Sequence, residues 1–175
     1  FFFLFAKTNT PLRKPDEPQF SDDQKTTLTL NLVESLVLQD RLADAAKVAT
    51  DALDKNASPE LRHRLATIYL MKVNAVPNSE VAWAKRWELV TLSRTYDPDM
   101  PESIQILANI AANAPTKLRK LATQELLPYL ENGKAPPAAY YQVGSAAAEE
   151  KDWETAERLL RKSVEIDPKA DIGWN

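Results

Sequence analysis

Residues 137–170 constrain the fold more than any other part of the chain. They read PAAYYQVGSAAAEEKDWETAERLLRKSVEIDPKA, 34 residues in which apolar and small side chains recur at helical spacing in two consecutive segments. Trp174 follows Tyr140 by the same 34 residues, the spacing expected if another unit of this length were beginning. A repeat of this length predicts helical hairpins that bury their apolar faces against neighbouring units.

The order of large and small residues in this unit follows a known pattern. The residues that carry it are Tyr140, Val143, Gly144, Trp153, Ala156, Leu160, Val164 and the closing pair Asp167-Pro168. In these positions the unit resembles one tetratricopeptide (TPR) repeat from end to end. The resemblance implies an all-α, right-handed solenoid of helical hairpins, in which each unit is stabilised mainly by its neighbours and a concave surface faces partners.

Prolines divide the rest of the chain into less regular units. The prolines at 59, 98, 136–137 and 168 are separated by about 31 to 39 residues, and only 3 glycines accompany the 12 prolines. We expect about four repeats and the start of a fifth, at residues 22–58, 59–98, 99–136, 137–170 and 171–175. The second and third units carry insertions relative to the TPR pattern, so a less regular α-helical repeat stays open for 22–136. No run alternates with the period of a β-strand.

Capping signals and periodicity predict the helices of the first three units. Ser21 and Gln24 form a predicted capping box, and Ser58 and Pro59 form a predicted helix start. We expect helices over residues 22–38, 42–53, 60–71, 80–95 and from 101 onward, a loop over 74–79, a turn at 114–115, and a last helix that ends at 132–133. Pro128 lies inside this last helix, so a kink or an early end is expected there.

The amino-acid composition excludes several classes of function for this chain. The 175 residues are 44% hydrophobic and 27% charged, values typical of a folded, water-soluble domain. The net charge of −3 provides no field that would recruit nucleic acid. The absence of cysteine excludes disulfides, thiolate catalysis and cysteine zinc sites, and it leaves the redox compartment open.

The N-terminus predicts a connection to a membrane. Residues 1–6 are apolar and far fewer than the roughly 20 that span a bilayer, but they resemble the last turns of a membrane helix whose beginning is missing. Residues 7–20 are polar, are broken by prolines and are interpreted as a linker. Lys7, Arg13 and Lys14 favour a cytoplasmic repeat domain under the positive-inside rule. A buried N-terminal strand or an artificial chain boundary is the alternative, and we expect the chain to be a fragment of a longer protein.

Residues that could support catalysis or bind a metal are few. His63 is the only histidine, so no histidine pair can form a relay or a metal site. It is either a partner contact and pH sensor or a partly exposed structural residue between Arg62 and Arg64. The carboxylate runs at 22–23 and 149–152 fit solvated helix ends, with Asp152 as an N-cap. We therefore expect no enzyme activity and no cofactor or metal.

The TPR resemblance implies one candidate site, the concave groove along the first helices of successive units. The residues that the alignment places on this groove are Leu30, Glu34, His63, Thr67, Gln105, Asn109, Tyr141 and Ser145. TPR proteins that grip the carboxylate tail of a chaperone use Lys, Arg and Asn at such positions. Leu, Glu, Tyr and Ser stand at the matching places here, so this clamp is not expected. Tyr141 would alternatively pack against the next unit.

These patterns favour a non-enzymatic scaffold or adaptor that binds a protein or peptide partner and is tethered to a membrane by its N-terminus. Three alternatives stay open: a structural or assembly subunit of a membrane complex, the recruitment domain of a larger enzyme, and binding of single-stranded RNA. The last would use the basic clusters at 62–64, 85–86 and 117–120 with Trp83 and Trp87. The acidic net charge and the core spacing of the tryptophans oppose it, and no nucleic-acid partner is expected.

Overall fold

A computed structural model of the chain describes residues 20–77 and 79–168. The predicted end of a membrane anchor at 1–6, the predicted linker except for Phe20, and the predicted start of a fifth unit at 171–175 lie outside the described residues. Within the described part, no helix is both long and apolar enough to cross a membrane.

The described residues form eight α-helices and one short 3-10 helix, Glu80–Ala82, and they contain no strand. The all-α prediction is therefore confirmed for this part of the chain. The α-helices, in chain order, are α1 (Asp22–Leu38), α2 (Leu42–Leu53), α3 (Pro59–Ala75), α4 (Trp83–Tyr96), α5 (Pro101–Asn113), α6 (Thr116–Glu131), α7 (Pro137–Glu149) and α8 (Trp153–Ile166).

Three predicted helix starts are confirmed by their hydrogen bonds. Ser21 Oγ accepts from the Gln24 N–H at 3.2 Å while Gln24 Oε1 accepts from the Ser21 N–H at 2.9 Å, which completes the capping box. Ser58 Oγ accepts from an N–H in the first turn of α3, with Pro59 at the first helical position. Asp152 accepts from the Thr155 N–H at 3.2 Å and caps α8.

One predicted helix end is wrong, and the early end considered at Pro128 does not occur, so α6 ends within two residues of the predicted 132–133. Helix α3 continues beyond residue 71 to Ala75, because the buried Val73 anchors its last turn and no helix-breaking residue precedes Pro77. Helix α6 does not end at Pro128 but runs through it to Glu131. Pro128 lies on the exposed side of α6, where water can satisfy the carbonyl that its missing N–H leaves free, and the buried Leu130 holds the next turn.

The helices pack in consecutive pairs, and neighbouring pairs are in contact. Helix α1 packs on α2, α3 on α4, α5 on α6, and α7 on α8. Contacts of α1 with α3, α2 with α3, α4 with α5, α4 with α6, and α5 with α7 join successive pairs. We call three cross-pair contacts the ion-pair series: Glu34 with Arg64, Arg94 with Glu125, and Arg119 with Glu150.

The core consists of two groups of buried apolar side chains. The first group joins α1, α2 and α3 and contains Val33, Leu36, Ala45, Ala46, Ala49, Leu65 and Ile68. The second group extends from Ala66 on α3 to Leu159 on α8. Tyr69 and Tyr96 are partly buried and pack against both groups, so these two tyrosines link the first group to the second.

Helices α7 and α8 approach each other closely at Gly144. A Cβ atom at this position would lie 3.0 Å from Leu160 Cγ and 3.2 Å from Leu159 Cβ. Ser163 Oγ, fully buried on α8, donates to the Pro137 carbonyl of α7 at 2.9 Å. On the other side of α7, Tyr140 is fully buried and its hydroxyl donates to the Leu130 carbonyl at 3.0 Å, which fastens α7 to the end of α6.

Candidate functional site

The eight sequence-predicted groove residues lie on α1, α3, α5 and α7. Glu34, His63 and Tyr141 are exposed and the other five are half-buried. The half-buried residues are Leu30, Thr67, Gln105, Asn109 and Ser145. None of the eight side chains lies in the core, so their degree of burial is compatible with a role in binding.

Gln105 and Asn109 lie together in a pocket of about 560 Å³ between α5, α7 and the segment that joins α3 to α4. We call it the carboxamide pocket because four of its side chains carry primary amides. The lining residues are Asn74, Ala75, Val76, Pro77, Arg86, Gln105, Ile106, Asn109 and Gln142. No carboxylate is among them.

Hydrogen bonding inside the carboxamide pocket is incomplete. Gln105 Nε2 donates to Gln142 Oε1 at 2.8 Å, which joins α5 to α7. The side-chain amides of Asn74 and Asn109 make no hydrogen bond to the other residues that the structure describes; Asn109 contributes only its carbonyl, which accepts from Asn113 Nδ2 at 3.0 Å. An amide offers two donor hydrogens and an acceptor oxygen. The amides of the exposed Asn74 and the half-buried Asn109 are therefore accessible to solvent or to a ligand beside the apolar side chain of Ile106.

The predicted residues on α1 and α3 are engaged with protein groups. Glu34 accepts from the Arg64 guanidinium, a member of the ion-pair series. His63 Nδ1 lies 2.7 Å from Asp97 Oδ2 at the end of α4, and the His63 side chain is 64% exposed. Thr67 Oγ1 donates to the His63 carbonyl at 3.0 Å, within α3. The Glu34–Arg64 and His63–Asp97 contacts link neighbouring helices, whereas the Thr67 hydrogen bond stays within α3. Leu30 has no polar side-chain atom.

On α7 the structure places Gln142 in the pocket wall, whereas the alignment selected Tyr141 and Ser145. Tyr141 is 39% exposed and does not line the pocket. Successive helical residues point about 100° apart, so an offset of one position moves the selected residue to another face. A signal was available, since Gln142 is the only carboxamide on α7. Asn74 was missed because α3 was predicted to end at residue 71, although the helix continues to Ala75. Val76, Pro77 and Arg86 lie outside the first helices to which the alignment was confined, and Ile106 was missed because it is apolar.

Both tryptophans and several of the basic residues considered for RNA binding have structural partners. Trp83 is only 9% exposed and packs in the second core group, with Trp87 against it. Lys85 Nζ lies 2.9 Å from both carboxylate oxygens of Glu88, and Arg64 and Arg119 belong to the ion-pair series. These tryptophans offer little ring surface on which a base could stack.

A second polar cluster joins α4 to α6. Arg94 donates to Glu125 and, at 3.3 Å, to Tyr129 Oη, and its guanidinium lies 5.4 Å from the centroid of the Tyr129 ring. Tyr129 Oη donates to the Pro98 carbonyl at 3.0 Å. Burial lowers the pKa of Arg94, but the hydrogen bonds to Tyr129 and Glu125 outweigh it, and the pKa is raised. Because these groups bind one another, the cluster is a structural connection.

Two further pockets are lined by charges of both signs. One of about 520 Å³ lies between α1, α2 and the start of α3, with Asp22 and Asp51 facing Lys25 and Lys55. Another of about 350 Å³ lies between the end of α6 and α8 and contains three cations and two carboxylates. In the described part of the chain, no group of three or more histidines, aspartates or glutamates is arranged to hold a metal ion. Compared with known proteins, the chain matches no protein-family model and no protein of curated function.

Proposed function

We propose that this chain is a TPR-like array, a right-handed solenoid of about four helical hairpins that binds a partner protein and carries out no reaction itself. Two observations support the architecture. The helices pack in consecutive pairs that contact the next pair. The ion-pair series joins residues 30 or 31 positions apart, close to one repeat length.

The carboxamide pocket is the binding site in this proposal, and its occupant is an extended peptide segment. A peptide main chain offers one N–H and one C=O per residue, and a side-chain amide can pair with both. The side-chain amides of Asn74 and Asn109 have no hydrogen-bond partner among the described residues, so they are available to pair with a peptide. The hydrogen bond between Gln105 and Gln142 fixes the position of α5 relative to α7. Ile106 and Val76 provide apolar surface for a side chain of the peptide. The observation that carries the proposal is that two of the predicted groove residues meet in this pocket.

Membrane attachment is a second part of the proposal and depends on Phe1–Ala6. A short apolar segment followed by Lys7, Arg13 and Lys14 would hold the array at the cytoplasmic face, with the Pro-containing linker as a spacer.

The alternative of a structural or assembly subunit is favoured by one observation. Leu28 and Leu32 lie one turn apart on α1 and are 52% and 51% exposed, so they form an apolar strip that another chain could cover. Recruitment by a larger enzyme would use the same pocket and would require a catalytic domain elsewhere in the full-length chain.

Affinity purification of the full-length protein from detergent-solubilised membranes, with the composition and stoichiometry of the captured proteins measured, separates these cases. For a pocket-binding adaptor, Asn109→Ala and Gln142→Ala each reduce retention of the partner by about fivefold, the value of one lost hydrogen bond. Asn113→Ala, an exposed amide on the same helix as Asn109, is the matched control and leaves retention unchanged. Loss of a fixed-stoichiometry assembly on Leu28→Ser and Leu32→Ser, with the pocket variants silent, would instead establish the structural subunit.

A further inference from the structure

The pair Asn132-Gly133 at the end of α6 has an unusual backbone environment. Both residues are exposed, and Gly133 has a φ of +71°, the left-handed conformation that favours glycine. Apart from Gly133 and its two chain neighbours, no heavy atom lies within 4 Å of the position that a Cβ of Gly133 would occupy. The outer side of the turn at Gly133 is therefore unobstructed.

The Gly133 N–H makes no hydrogen bond to the residues that the structure describes. Its neighbours do: the Asn132 N–H donates to the Pro128 carbonyl at 3.1 Å, and the Lys134 N–H donates to the Tyr129 carbonyl at 3.0 Å. At such helix ends, the glycine N–H commonly donates to the carbonyl two positions before the C-cap, which here belongs to Leu130. That carbonyl accepts from the Tyr140 hydroxyl instead.

From this arrangement we propose that Asn132 is a site of spontaneous deamidation. The Gly133 nitrogen attacks Asn132 Cγ, the new C–N bond closes a five-membered succinimide, and the nitrogen loses its proton. Nδ2 leaves as ammonia with the electron pair of the Cγ–Nδ2 bond. Water then opens the ring at either carbonyl and gives aspartate or isoaspartate. The reaction needs only water, and it is independent of the proposed partner binding.

Conformation sets when this reaction occurs. Asn132 has a ψ of 4°, which keeps its Cγ away from the Gly133 nitrogen in the folded turn. Ring closure therefore proceeds from the opened helix end, and helix termini open at little cost in free energy. The Asn132 side chain makes no hydrogen bond to other described residues that would restrain it.

Asn113 occupies a comparable place at the end of α5 but is protected. Its Nδ2 donates to the Asn109 carbonyl at 3.0 Å, and the N–H of the following Ala114 donates to the Ile110 carbonyl at 3.0 Å. Ala114 also carries the Cβ that Gly133 lacks. We therefore expect Asn132 to deamidate faster than Asn113, although both residues lie at the end of a helix.

The product would change the connection between α6 and α7. Either product places a negative charge at the C-terminal end of α6, where the helix dipole disfavours it. Isoaspartate also lengthens the main chain by one methylene at position 132. This position lies between Leu130 and Tyr140 in the chain, and the Tyr140 hydroxyl donates to the Leu130 carbonyl.

The test is incubation of the folded full chain at mildly alkaline pH, followed by peptide mass spectrometry. We expect the peptide that contains Asn132 to gain about 1 Da and to split into two chromatographic forms, aspartate and isoaspartate, before the peptide that contains Asn113 changes. Asn132→Gln should abolish the gain. Equal survival of the Asn132 and Asn113 amides would overturn the proposal, as would a gain in Asn132→Gln at the wild-type rate.

Discussion

Tyr69 and Tyr96 are stacked with nearly parallel, offset rings, with ring centroids 5.9 Å apart and ring planes 8° from parallel. Tyr69 lies on α3 and Tyr96 ends α4, and both rings pack against the two groups of core residues. Burial and the neighbouring Tyr96 raise the pKa of Tyr69. The stack is thus a junction between the part of the core that holds α1 and α2 and the part that extends to α8.

We expect Tyr69→Leu and Tyr96→Leu to destabilise the protein by less in combination than the sum of the single effects. Stacked aromatic pairs contribute about 0.5–1.5 kcal/mol beyond the area they bury, and this coupling is lost with either ring. A double-mutant cycle from urea unfolding measures it. Trp153→Leu is the control, because Trp153 is 66% exposed and outside both core groups. Strictly additive losses would show that the rings only fill space.

Gly144→Ala should lower the free energy of unfolding by about 1–3 kcal/mol, the usual cost of overpacking. The added methyl group would lie 3.0 Å from Leu160 Cγ, so α7 and α8 must separate or Leu160 must move. Adding Leu160→Ala should recover part of the loss, which unfolding of the double variant measures. Ala138→Ser, at an exposed position on α7, should change stability by under about 0.5 kcal/mol. Alanine is favoured over glycine inside a helix by about 0.8–1.0 kcal/mol, so a gain in stability of this full size would contradict the close approach.

Tyr140→Phe should cost about 1 kcal/mol at neutral pH, because the variant loses the hydrogen bond to the Leu130 carbonyl. Burial raises the pKa of Tyr140 above its ordinary 10.0, so the neutral phenol is favoured by the fold. The neutral Tyr140 phenol makes its full contribution to the free energy of unfolding below pH 10. This contribution is lost as the pH rises from there through the pKa of Tyr140 in the folded protein. The stability gap between wild type and variant should therefore narrow above pH 10. Urea unfolding across this range checks it, and a constant gap would contradict the prediction.

Arg94→Leu should destabilise the protein more than Arg161→Leu. The Arg94 side chain is 13% exposed and binds Glu125 and Tyr129, and loss of such charged hydrogen bonds costs about 2 kcal/mol. Arg161 pairs with Glu157 on the surface of α8, where both side chains are mostly exposed and the pair is worth under about 0.5 kcal/mol. Unfolding at low and high salt measures both. Equal losses would mean that burial of Arg94 contributes nothing.

Local signals predicted the helices well where the chain carries its own start and stop residues. The bounds of α1 and α2 match the predicted 22–38 and 42–53, because a capping box opens α1 and Asp40, at a φ of 57°, ends it. The early end considered at Pro128 does not occur, and local sequence does not report that this proline faces solvent. That depends on how α6 packs, which is a tertiary property.

The candidate site was predictable in part. Gln105 and Asn109 are one turn apart on α5, so helical periodicity was sufficient to place them on one face. Placing Gln142 in the pocket required knowing which side of α7 faces α5. An alignment error of one residue selects a side chain on another face of the helix. Asn74 required knowing that α3 continues past residue 71 and that its end lies beside α5, and no periodicity carries that information.

The ion-pair series also bears on how fast the chain reaches its fold. Each pair closes a loop of 30 or 31 residues, and the entropic cost of loop closure grows with the logarithm of loop length. The entropic cost of loop closure is therefore nearly the same for each ion pair, and no ion pair requires the two ends of the chain to meet. Chains with such short-range contacts fold rapidly for their size, so we expect assembly to begin at any helix pair and spread to its neighbours.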